Sequence, residues 1–146
     1  MKVFFFVLAL LVTGGVTRHT QPPADAVTGE WLSPRKDSRI TIYRQGDLYQ
    51  GRILWGTGTA TTDQSNPDPS LRSRNLIGLV ILNGFVYDGR STWENGTIYD
   101  PREGKTYSCK MTLTTPNSLS IRGYVGVSLF GRTEVWSRVT PGRPNP

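Results

Sequence analysis

The side chains best equipped for chemistry in this 146-residue chain are its arginines. Residues 27–146 hold twelve Arg against three Lys. A guanidinium is a planar fork that suits carboxylate or phosphate and stacks on aromatic faces. Arg72 and Arg74 stand two apart, and Arg52 and Arg90 are placed to approach from neighbouring strands. Together with Trp55, Trp93, Tyr99 and Asp100, Arg72 and Arg74 make a candidate aromatic and cationic lining for a ligand. The competing reading is that Asp63, Asp68 and Asp100 pair with these arginines and fix a loop.

Other chemistries find less to work with. The only imidazole is His19, so a Ser-His-Asp or Cys-His arrangement has no base within the domain. Cys109 alternates with apolar neighbours, which suits an inert core thiol, and a single cysteine forms no intrachain disulfide. Asp63, Asn66 and Asp68 offer three oxygen side chains, but not the alternating ligand pattern of a calcium loop; turn and cap roles suit them as loop-structural residues. No metal and no cofactor is expected. A carboxylate and Arg-dependent enzyme remains open through Asp63, Asp68, Asp88, Glu94 and Asp100. It requires two acids in one cavity, at least one with a displaced pKa. The net charge of +6 comes without a basic run or an aromatic-basic motif, so no nucleic-acid partner is expected.

These residues need a frame, and a leader must be set aside first. Lys2 precedes ten unbroken apolar residues, 3–12, too few to span a bilayer but enough for the core of a signal peptide. Ala24-Asp25-Ala26 fits a small-x-small cleavage rule, and Thr13-Gly14-Gly15 is the competing cut. The division expected is a leader over 1–26, a domain over 27–140 and a flexible Pro-rich tail over 141–146. The chain is thus expected to be exported, secreted or periplasmic, and not membrane-spanning.

Within 27–146 there is one Ala against 14 Thr, a balance that disfavours helix and suits a pleated surface. Tyr107, Cys109, Met111 and Leu113 alternate with polar residues, as do Leu119, Ile121 and Gly123, and Thr115-Pro116-Asn117 turns between the two runs. Similar alternation at 39–44, 48–55, 92–99 and 132–139, with shorter segments at 29–32 and 80–87, gives about eight strands in antiparallel order. In 132–139 either face suits the interior. The fold class expected is all-β: a single up-and-down barrel, with a two-sheet sandwich as the alternative. One local feature favours the barrel. Gly29-Glu30-Trp31 opens the domain and Trp136-Ser137-Arg138 ends it, so Arg138 can cover an indole where first and last strands pair. This closure through Gly29, Trp31 and Arg138 resembles that of lipocalin-like barrels. A 56–79 insertion, stiffened by Asn66-Pro67-Asp68-Pro69, exceeds ordinary loop length and marks the functional end.

Gly29-x-Trp31, Gly51-Arg52-Ile53-x-Trp55, Asn66-Pro67-Asp68-Pro69, Leu71-Arg72-x-Arg74, Ile77-Gly78-Leu79, Gly96-x-Ile98-Tyr99-Asp100-Pro101, Gly104-Lys105-x-Tyr107, Arg122-Gly123-Tyr124-x-Gly126, Leu129-Phe130-Gly131-Arg132-Thr133 and Trp136-x-Arg138 follow one another through nearly all of 29–139. Through them the chain resembles the bacterial secreted family known as domain of unknown function 2147. The resemblance implies a secreted β domain and no established reaction. The function expected is a binding module for a small anionic or amphipathic ligand, whose partner is a small molecule or a cell-envelope component. The carboxylate and Arg enzyme is one alternative. An envelope interaction or scaffolding domain is another, and an exposed pair such as Trp136 with Tyr124 would favour it.

Overall fold

A computed structural model describes residues 20–142; the apolar run 3–12 of the expected leader and the last four residues of the expected tail lie outside that range. Eight strands close into one antiparallel barrel in sequence order: β1 Gly29–Leu32, β2 Ser38–Gln45, β3 Leu48–Gly56, β4 Val80–Tyr87, β5 Thr92–Asp100, β6 Lys105–Thr115, β7 Ser118–Tyr124 and β8 Gly131–Arg138. The sandwich alternative is therefore excluded. No helix among the described residues is long and apolar enough to cross a membrane.

Alternation builds the interior. In β2, Ile40 and Ile42 point inward and are buried, whereas Thr41 and Tyr43 are not. Cys109 and Met111 of β6 do the same, and in register Met111 faces Ile121 and Leu113 faces Leu119 across β7. Strand β8 settles its ambiguous face in favour of the polar set: Trp136 is buried while Val135 is 53% exposed. A period of two then sends Glu134 and Arg138 inward with Trp136.

One end of the barrel is sealed. A 3-10 turn, Ala24–Val27, lies across it with Val27 fully buried. Trp31, Tyr49, Phe85 and Trp93, all buried, fill the space above the turn. Side chains tie it down: Trp31 Nε1 donates to the Val27 carbonyl at 2.9 Å, Trp93 Nε1 to Ala24 at 3.1 Å, and Tyr49 Oη to the Asp25 carboxylate at 2.5 Å. Arg138 completes the seal. Paired in register with Trp31, it stacks 4.2 Å from that ring and donates to the carbonyls of Ala26, Thr28 and Pro116 at 2.6, 2.8 and 2.8 Å. Gly29 is needed beside it, because its φ is +117° and a Cβ there would stand 3.0 Å from an Arg138 nitrogen.

Because the strands run up and down, the β1–β2, β3–β4, β5–β6 and β7–β8 connections all emerge at the opposite end. The long insertion is one of them.

Candidate functional site

The insertion is folded rather than loose, and one buried carboxylate organises it. Asp63 accepts from Tyr99 Oη at 2.6 Å, from Asn66 Nδ2 at 2.8 Å and from Arg74 Nε and Nη2 at 2.9 and 2.8 Å. Burial alone would push the Asp63 pKa up, but the bonds from Tyr99, Asn66 and Arg74 outweigh it and hold the group below the usual carboxylate range. Arg72 Nε donates to the Asn66 carbonyl at 2.8 Å, and Asp68 caps the 3-10 turn Pro69–Leu71 by accepting from the Ser70 amide at 2.9 Å. Backbone bonds from Asp63 to Arg74 and from Leu76 to Thr61 fold the two arms together. The β5–β6 turn presses against the insertion at Gly104, where a Cβ would overlap the Ser65 carbonyl at 1.8 Å. Both carboxylate oxygens of Asp63, the amide oxygen of Asn66 and one oxygen of Asp68 thus have protein partners.

Beneath this flap the barrel is open, and the cavity measures about 940 Å³. Its walls are apolar: Ile40, Ile53, Ile81, Ile98 and Ile121, one from each of five strands, with the Trp136 indole between them and the closed end. Its mouth is polar and charged, framed by residues of all four connections at that end. Such a volume lies within the range of small-molecule sites.

Of the residues chosen from sequence, Tyr99 and Asp100 line this cavity. The other four do not. Arg72 and Arg74 are engaged inside the insertion, Arg72 by the Asn66 carbonyl and Arg74 by the Asp63 carboxylate of the same loop. Trp55 sits on the outer surface of β3, 41% exposed, with the Arg39 guanidinium 5.8 Å from its ring. Trp93 belongs to the sealed end, packed between Tyr49 and Tyr87 at centroid distances of 6.2 and 5.0 Å. Trp136 is likewise buried, so it forms no exposed pair with Tyr124.

The structure adds acids that sequence reasoning passed over. Asp37, Glu103 and Glu134 line the cavity together with Asp100, beside Tyr107 and Trp136. Asp37 is paired with Arg35 at 3.3 Å and accepts from Ser33 Oγ at 2.7 Å. Asp100 is paired with Arg102 at 3.3 Å. Glu103 accepts from Tyr107 Oη at 2.6 Å, and Glu134 from Trp136 Nε1 at 3.2 Å. The Asp100 pKa is pushed up, chiefly by burial and then by the negative charges of Glu103 and Glu134. The signal that would have found Glu134 was present: once Arg138 faces inward to close the barrel, residues two and four positions before it must do so too.

Cys109 is fully buried and its thiol is raised to about 12 by desolvation, so it takes no part in this site. The mouth also carries an apolar tip on the β7–β8 connection, where Val125, Leu129 and Phe130 are 71, 78 and 75% exposed.

Comparison with known proteins agrees with this architecture. A solved structure described as protein HP1028 from the human pathogen Helicobacter pylori, belonging to the lipocalin family, superposes with a TM-score of 0.72. The two chains are 21% identical over 78% of this chain and 83% of that one, a likeness of fold. No curated protein matches the sequence. The model of a family described as uncharacterized and conserved in bacteria, domain of unknown function 2147, matches residues 29–138, well over half of the chain, and the chain belongs to that family.

Proposed function

We propose that this protein is an exported carrier that holds one small amphipathic molecule in the open half of its barrel. The observation that carries this reading is the 940 Å³ cavity, apolar in its walls and charged at its mouth, above an end sealed by aromatic side chains. An amphipathic guest fits that gradient: its apolar body replaces water along the isoleucines, and its head remains among the mouth residues. An anionic head has less support, because Arg72 and Arg74 are held by acceptors of their own loop. The Helicobacter pylori protein's description as a lipocalin accords with a carrier role. Export is supported by the basic start and the apolar run at 3–12.

Titration with the neutral environment-sensitive dye N-phenyl-1-naphthylamine tests the reading. Saturable one-to-one binding is expected in the wild type, with loss of at least tenfold in affinity in Ile53→Trp, which fills the cavity. Absence of saturable binding, or equal binding by both proteins, contradicts it.

A second reading has one specific observation in its favour. Asp100, Glu103 and Glu134 face one cavity, and Asp100 is displaced toward protonation at higher pH, as an acid-base enzyme requires. Turnover of a bound guest that vanishes in both Asp100→Asn and Glu134→Gln would replace the carrier with an enzyme.

A further inference from the structure

The charges lining the cavity specify more than an amphipathic guest. Four carboxylates and three guanidiniums, those of Arg35, Arg102 and Arg132, belong to its lining. Arg35 and Arg102 pair with Asp37 and Asp100 at the mouth, each at 3.3 Å. Glu103 and Glu134 are different: each accepts a hydrogen bond from a neutral aromatic donor, and among the described residues neither has an ion-pair partner. Glu134 faces the lumen two residues farther along β8 than Arg132, toward the sealed end, and is only partly exposed, whereas Arg132 is exposed. Arg138, the next inward cation on that strand, is committed to the sealed end over Trp31.

Aromatic faces accompany these acids. Tyr107, Trp136, Tyr124 and Phe130 all line the same cavity. Carboxylates beside aromatic rings attract an ammonium twice over, by charge and by the ring quadrupoles; Glu103 and Phe130 are exposed at the mouth and Glu134 is half-buried.

We propose that the guest is an amphipathic cation, with an amine or quaternary ammonium head seated between Glu134 and Glu103 and an apolar body along the isoleucine walls. This rests on the carrier reading and narrows it to one ligand class. A carboxylate-headed or phosphate-headed guest of the same length would meet Glu134 at the depth where the cation is favoured.

Calorimetric titration of the folded protein at neutral pH with decyltrimethylammonium, decanol and decanoate, each below its micellar concentration, separates the two claims. Decyltrimethylammonium is expected to bind at least tenfold more tightly than decanoate and more tightly than decanol. Glu134→Gln and Glu103→Gln, each first shown by thermal melting to be folded, are expected to reduce the cation-to-decanol affinity ratio at least threefold. Binding of decanol with no preference for the cation overturns the ligand class and leaves the carrier standing. Tighter binding of decanoate than of the cation also overturns the class. Binding by none of the three overturns the carrier reading itself.

Discussion

The Arg138 guanidinium lies 4.2 Å from the Trp31 ring and donates to three backbone carbonyls, reinforcing the backbone pairing of the last strand with the first. It completes the seal that the Ala24–Val27 turn and the buried aromatic rings make at one end, and the cavity opens at the other.

Arg138→Lys keeps the charge but loses the planar fork that reaches Ala26, Thr28 and Pro116 together. The expected cost is about 2 kcal/mol, from lost cation–π contact and unpaired carbonyls. Thermal unfolding should show it as a fall of roughly 5–10 °C. A melting temperature equal to wild type would mean that the closure contributes nothing to stability.

The N-terminal 3-10 turn should behave as part of the domain. A protein beginning at Val27 lacks the Ala24 carbonyl that accepts from Trp93, the Asp25 carboxylate that accepts from Tyr49, and the Pro22 carbonyl bonded by Tyr87. Its stability should be lower by about 3 kcal/mol or more than that of a protein beginning at Thr20. Of the two cuts the sequence offers, the one near Gly15 preserves these bonds. If the chain is exported and cut as proposed, intact-mass measurement of the processed protein is therefore expected to show an N-terminus upstream of Pro22.

Asp63 ties stability to acidity. Its folded pKa lies below its unfolded value, so the ionised group contributes stability that is present above the ordinary carboxylate pKa and lost as pH falls through the depressed one. Asp63→Asn leaves Arg74, Tyr99 and Asn66 competing for a poorer acceptor, at a cost of about 2–3 kcal/mol at neutral pH. Melting curves of the two proteins should converge as the pH is lowered below about 4. A constant difference across that range would contradict the assignment.

Cys109 should be inert while the barrel is folded, being buried and raised to about 12 by desolvation. Reaction with a thiol-specific disulfide reagent at neutral pH is expected only after addition of denaturant. Rapid labelling of the native protein would show that the β6 register is wrong.

Strand order, the hairpins and the closing pair were legible because alternation and turn chemistry are local, and because Trp31 and Arg138 mark the two chain ends that a barrel must join. Tyr99 and Asp100 were legible because they close β5 at the Asp100-Pro101 turn, where the strand end reaches the mouth of the cavity. Arg72 and Arg74 looked available because sequence does not reveal that Asp63 and the Asn66 carbonyl fold back onto them. Glu134 was passed over, and Trp136 was offered for an exposed pair with Tyr124, for the opposite reason. Strand β8 carries Val135 on its outer face and Glu134 and Arg138 on its inner one, so hydrophobicity alone misreads it.

The most direct test is a methyl NMR titration of isoleucine-labelled protein with decanol. Progressive shifts are expected at Ile40, Ile53, Ile81, Ile98 and Ile121, which wall the cavity, with Ile42 at the sealed end unmoved. Shifts absent from all five wall positions, or confined to Ile42, would contradict a guest held in the open half of the barrel.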